Sequence, residues 1–129
     1  MIYNIRNIEV NISLEPGIYI FEQDSGTGKS YLCKLLHDLN KIGENVLAIT
    51  LDEWEDNKDN LINKIKSNDY DVIMFDRFGL YADSAVDTVK SINSNKCIVL
   101  IETKYKTVGL FGFYGCSIKF DTERVLVYE

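Results

Sequence analysis

The stretch Ile18-Tyr19-Ile20-Phe21-Glu22-Gln23-Asp24-Ser25-Gly26-Thr27-Gly28-Lys29-Ser30-Tyr31-Leu32 sets the fold expected of the chain. Its first four residues are a continuous apolar run, the pattern of a strand covered on both faces. From residue 28 to 42, Leu32, Leu35, Leu36 and Leu39 recur at helical spacing, and Gly43 supplies the stop. Between strand and helix lies a loop with glycines at 26 and 28. Glycines let successive backbone N–H groups turn inward around an anion, and the start of the helix adds partial positive charge.

Outward from that stretch the same alternation continues. Residues 6–12 place Ile8, Val10 and Ile12 at every second position, which predicts one half-buried strand, and Glu15-Pro16-Gly17 reads as a turn. Downstream, residues 46–51, 72–75 and 97–101 are apolar runs expected as buried strands. Residues 52–59 are expected as an acidic loop, with a helix over 57–66 and another over 84–92. Residues 117–120 and 124–128 flank Asp121-Thr122-Glu123, a hairpin pattern. Apolar strands alternating with amphipathic helices predict a single α/β domain over residues 1–129 with right-handed crossovers.

Composition narrows the function classes. The 129 residues carry a net charge of −6, with 46% hydrophobic and 26% charged residues, as in ordinary globular proteins. Twenty acids against fourteen bases argue against broad nucleic-acid binding. No apolar run nears the ~18 residues of a membrane span, so no membrane association is expected. Cys33, Cys97 and Cys116 are odd in number and widely spaced, which points to a cytoplasmic protein without disulfides or a zinc site.

Ser25-Gly26-Thr27-Gly28-Lys29-Ser30 resembles the second half of the P-loop pattern G-x-x-x-x-G-K-[ST], the Walker A motif. The first glycine of that pattern falls on Gln23, whose side chain would crowd the mouth of the loop. Val72-Ile73-Met74-Phe75-Asp76 matches the Walker B pattern, an apolar strand ending in an acid that holds Mg²⁺ through water. No L-S-G-G signature follows, and Asn95-Lys96 continues as Cys97-Ile98 rather than as a guanine-reading motif.

Overall the chain resembles the RecA/KaiC/RadA-like ATPases of the P-loop NTPases. The resemblance rests on those motifs, on the strand ending Thr50-Leu51-Asp52-Glu53, and on the polar end of the later strand at Glu102-Thr103. It implies a three-layer P-loop NTPase fold with a mainly parallel sheet and a C-terminal β-hairpin. It further implies ATP and Mg²⁺ as ligands, with Ser25, Gly26, Thr27, Gly28, Lys29, Ser30 and Tyr31 around the nucleotide and Ser30 and Asp76 at the metal. Lys29 and Glu53 would be catalytic, Glu53 by activating the attacking water. Glu22–Lys29 and Asp76-Arg77-Phe78 also echo thymidylate kinases, yet the chain has three arginines (6, 77 and 124), none in a plausible lid.

Other residues carry two readings each. Arg77 would contact phosphate or pair with a surface acid such as Asp83. The segment 103–116 holds Lys104, Lys106, three glycines and four aromatic residues without an acid. Such a segment either packs on the sheet or meets single-stranded nucleic acid or a protein partner. His37 lies off the leucine stripe as a solvated helix residue, and Trp54 covers a sheet edge or stacks on a base. The expected function is a Mg-dependent ATPase that works with a protein or nucleic-acid partner or with its own copies. A nucleotide-binding regulator with negligible turnover and a small nucleoside or nucleotide kinase are the alternatives.

Overall fold

A computed structural model describes residues 1–21, 28–81, 84–103 and 114–129. Eight strands form one sheet: β1 (Ile2–Ile5), β2 (Ile8–Ser13), β3 (Gly17–Phe21), β4 (Val46–Ile49), β5 (Val72–Phe75), β6 (Ile98–Ile101), β7 (Tyr114–Asp121) and β8 (Arg124–Tyr128). Their spatial order is β1-β2-β8-β7-β3-β6-β5-β4. Pairings β4–β5, β5–β6, β6–β3, β3–β7 and β2–β8 are parallel, whereas β1–β2 and β7–β8 are antiparallel. Helices α1 (Lys29–Lys41), α2 (Leu51–Ser67) and α3 (Ser84–Ser91) and a single 3-10 turn at Phe78–Leu80 complete the described elements.

The two halves of this sheet follow different sequence patterns. In β4, β5 and β6 every residue is buried. Leu47, Ile49, Ile73, Phe75, Val99 and Ile101 point to one face, where Leu61 and Ile65 of α2 and Ala85 and Val89 of α3 cover them. Val46, Ala48, Val72, Met74, Ile98 and Leu100 point to the other, against Leu32, Leu35, Leu36 and Leu39 of α1. In β1, β2, β7 and β8 burial alternates. Tyr3, Ile5, Val10, Ile12, Cys116, Ile118, Val125 and Val127 join the α1 side. Asn4, Glu9, Asn11, Ser117, Lys119 and Leu126 alternate with them toward the opposite face.

These observations correct the expected three-layer P-loop NTPase fold with a mainly parallel sheet. Among the described residues, the outer face of β1, β2, β8 and β7 carries no helix, so half of the molecule has two layers. The sheet is also mixed and curled into a half-barrel rather than flat. Helix α1 packs against both edge strands, β4 and β1, which brings the two ends of the sheet round one helix. The physical reason lies in the alternating strands. They have only one apolar face to bury, and curling wraps that face around the leucine stripe of α1.

Two local expectations change as well. Residues 6–12 are not one strand, because Arg6 and Asn7 have φ of 47° and 64° and form a tight turn between β1 and β2. Left-handed conformations at both central positions match the right-handed twist of a two-residue hairpin. The acidic segment 52–59 is helical. Thr50 caps α2 by accepting a hydrogen bond from the Glu53 N–H, and the Thr50 hydroxyl lies 3.1 Å from Glu53 Oε1. Thr50 and Glu53 thus bond reciprocally through the Thr50 hydroxyl, at the spacing of a capping box, with Asp52 and Glu53 favourably placed in the first turn. Asn57 departs from helical geometry and kinks α2. No helix among the described residues is long and apolar enough to cross a membrane.

Candidate functional site

The carboxyl ends of β4, β5 and β6 meet beside the start of α1, and backbone hydrogen bonds tie them together. The Asp76 N–H donates to the Ile49 carbonyl, the Glu102 N–H to the Phe75 carbonyl, and the Phe78 N–H to the Glu102 carbonyl. Tyr81 donates its hydroxyl to the Ile49 carbonyl at 3.0 Å. Its ring stacks on Trp54 at 5.4 Å and meets the edge of Phe75 at 6.4 Å. Trp54 is therefore part of the core beneath this edge, 2% exposed. Such rigid support holds polar strand ends in fixed positions, in the crevice where open α/β sheets bind ligands.

Lys29, Asp76 and Glu102 come together there. Lys29 is the first residue of α1 and is only 6% exposed. Its Nζ lies 3.8 Å from Glu102 Oε1, a distance well beyond the ~2.8 Å of a tight charge-assisted bond. Glu102 Oε2 accepts a hydrogen bond of 2.8 Å from the Arg77 N–H. Arg77 adopts φ 54°, a conformation uncommon outside glycine, and this is what turns its amide toward Glu102 while its side chain is exposed. Asp76 Oδ1 is buried and has no hydrogen-bond partner among the described residues.

The electrostatics follow from that crowding. Burial, and then the neighbouring Glu102 carboxylate, push the Asp76 carboxyl above the ordinary carboxylate range. The negative field reaches further. The Cys33 thiol is pushed up to about 12, first by burial and then by Asp76, Glu53 and Glu102. Tyr81 is raised as well, by burial and then by Asp76. The Cys33 thiol is thus held in its protonated form, without the thiolate character that reactivity needs.

Glu53 makes its own contacts, on α2 and α1. It is half-buried, bound to the Thr50 cap, and its Oε1 lies 3.9 Å from His37 Nε2. His37 is partly solvated, off the leucine stripe as expected, with Glu53 of α2 as its neighbour. Ser30 and Tyr31 are exposed on the first turn of α1. Gly28 precedes them at φ 96°, a backbone conformation suited to glycine. Ser25, Gly26, Thr27 and Gln23 lie outside the described residues, as do Asp83 and residues 104–113 of the segment proposed to meet a partner.

Glu102 is the residue that sequence reasoning undervalued. Its signal was the polar end of an apolar strand; its pairing with Lys29 depends on β6 lying between β3 and β5. Among the described residues, no group of three or more His, Cys, Asp or Glu side chains is arranged to hold a metal ion. A cation here would need further ligands from a substrate and from water, as Mg²⁺ commonly takes. The orphaned Asp76 oxygen and the exposed Ser30 hydroxyl fit that requirement. Compared with known proteins, the chain matches no family model, no curated protein and no solved structure.

Proposed function

We propose that the chain binds ATP with Mg²⁺ at the carboxyl ends of β3, β5 and β6 and hydrolyses it in concert with a partner. One observation carries this reading: a buried lysine at the start of a helix, 3.8 Å from Glu102 and beside an Asp76 oxygen that has no hydrogen-bond partner among the described residues. An anion at the start of α1 would draw the Lys29 ammonium from its long contact with Glu102 and gain the N–H groups of the first helical turn. Asp76 and Ser30 would hold the Mg²⁺, which supplies charge neutralisation for the phosphates. The motif Ser25-Gly26-Thr27-Gly28-Lys29-Ser30 supports the same chemistry from the sequence side. Glu53 is the candidate base for the attacking water, and Tyr31 lies on the rim of the site.

The reading carries a cytoplasmic setting, consistent with three free buried cysteines. The partner would be a protein, a second copy of this chain, or nucleic acid meeting residues 103–116. A second reading, a nucleotide-binding regulator with negligible turnover, is favoured by one specific contact. Glu53 already commits its carboxylate to the Thr50 cap, which competes with a role as base.

The deciding experiment is thermal unfolding of wild type and Lys29→Met with and without Mg-ATP, followed by phosphate release. Ligand at about a hundredfold excess over Kd adds about 2.7 kcal/mol to the wild type. Lys29→Met loses that gain. Equal shifts in both proteins, or none in the wild type, exclude the site. Phosphate release that persists in Glu53→Gln removes Glu53 as the base and leaves binding intact.

A further inference from the structure

The carboxyl end of β7 brings an aromatic side chain to the candidate site from the half of the sheet that the motifs do not touch. Phe120 lies over the backbone of Gly28, directly before Lys29. A methyl group built on Gly28 would stand 2.5 Å from Phe120 Cδ2 and 2.6 Å from Cε2. Gly28 therefore does two jobs, adopting φ 96° and leaving room for this ring. Tyr31, two residues after Lys29, meets Phe120 with ring centroids 5.1 Å apart and planes inclined at 57°. Both rings are open to solvent, with Tyr31 38% and Phe120 45% exposed.

The placement is not explained by core packing. Along β7, Cys116 and Ile118 of the same face are buried beneath α1, and Phe120 continues that face past the start of the helix. At the other end of β7 Tyr114 is also exposed, but it meets Tyr19 and lies away from the start of α1. An exposed phenylalanine at the edge of the proposed phosphate-binding helix start, propped by an exposed tyrosine, offers aromatic faces next to a polar surface. A nucleotide has that division: charged phosphates at one end and an aromatic ring at the other.

We propose that Tyr31 and Phe120 form the stacking platform for the base of the bound nucleotide, which makes the ligand a nucleoside triphosphate rather than an inorganic polyphosphate. The platform reads the face of the base and offers no edge-reading donor or acceptor beyond the Tyr31 hydroxyl. Purine triphosphates accordingly bind with similar affinity whichever base they carry, because each presents a π-face. This inference rests on the phosphate site proposed above, and comparing two ligands separates the failure of one from the failure of the other.

Binding of Mg-ATP, Mg-GTP and magnesium tripolyphosphate is measured by calorimetry on wild type, Tyr31→Ala, Phe120→Ala and Phe120→Leu. Tyr31→Phe serves as the variant that keeps the ring, and circular dichroism checks the fold of each. Alanine at either position weakens ATP and GTP about tenfold and leaves tripolyphosphate unchanged. Phe120→Leu keeps the apolar cover over Gly28 yet shows the same selective loss, and Tyr31→Phe binds as wild type does. Equal affinity of wild type for ATP and tripolyphosphate overturns the platform while the phosphate site stands. Equal losses for all three ligands in the alanine variants overturn it too, assigning the rings to structure alone. Failure of wild type to bind any of the three overturns both the platform and the site beneath it.

Discussion

The half of the sheet formed by β4, β5, β6 and β3 and the half formed by β7, β8, β2 and β1 solve the same burial problem in opposite ways. In the first, continuous apolar strands are covered by α1 on one face and by α2 and α3 on the other. In the second, strands alternate, and only the face toward α1 is buried among the described residues. Chemistry is divided along the same line. The buried charges, Lys29 and Glu102, and the crowded Asp76 gather at the covered half. The open half contributes shape, through its curl and through Phe120. A covered edge excludes water and strengthens charge interactions, and an open face tolerates exchange of side chains.

The largest test of that division is a pair of substitutions on the outward face. Phe75→Ala in β5 is expected to cost about 3–5 kcal/mol in denaturant unfolding, because its ring is fully buried under α2 and α3. Lys119→Ala in β7 is expected to stay within about 0.5 kcal/mol. Similar costs at the two positions would mean that the open half is covered after all. Next in size, Thr50→Ala removes the cap of α2, the helix that covers the first half, and should cost about 1 kcal/mol. A neutral result would show that packing of Leu61 and Ile65, not the cap, holds that helix.

The smallest effect is a difference in sign with pH. Asp76, in the covered half, has its carboxyl raised by burial and by Glu102, so the folded state holds a proton that the unfolded chain would release. Stability from this group therefore falls as pH rises from the ordinary carboxylate value through the raised one. Asp121, at the end of β7, is lowered by the Thr122 backbone and hydroxyl, so its contribution is lost as pH falls through its folded value. Asp76→Asn should flatten the first slope and Asp121→Asn the second, measured by chemical denaturation between mildly acidic and neutral pH for the first and in more acidic buffer for the second. Asp76→Asn that steepens the first slope contradicts the crowding at this site.

Much of the covered half was legible in local patterns, because each of its strands carries enough apolar residues to be recognised alone. The leucine stripe of α1 was equally plain. The open half was written in the sequence as alternation at Ile8, Val10 and Ile12, a pattern that by itself argues for one bare face and against a uniform three-layer fold. Its curl was not legible, since it depends on α1 reaching both edge strands. The turn at Arg6-Asn7 was hidden because arginine seldom adopts a left-handed conformation. The start of α2 was masked by its acids, although Thr50 and Glu53 stand at capping-box spacing. At the site, Lys29 and Asp76 could be named from motifs, whereas the Lys29–Glu102 contact and the Phe120–Gly28 contact join residues distant in sequence and depend on strand order.

That strand order also has a consequence for how the chain is built. The β1–β2 hairpin reaches the rest of the sheet through β8, with Val10 beside Val125 and Ile12 beside Val127. Every other strand of the sheet lies in sequence between the hairpin and β8, so the hairpin finds its partner only after all of them have been made. The covered half, whose strands follow one another closely in sequence, can form while the hairpin waits, its apolar face exposed to other chains. Closure of the half-barrel therefore depends on the pairing most distant in sequence, and a chain lacking β8 is expected to keep the crevice while exposing the apolar face of the hairpin.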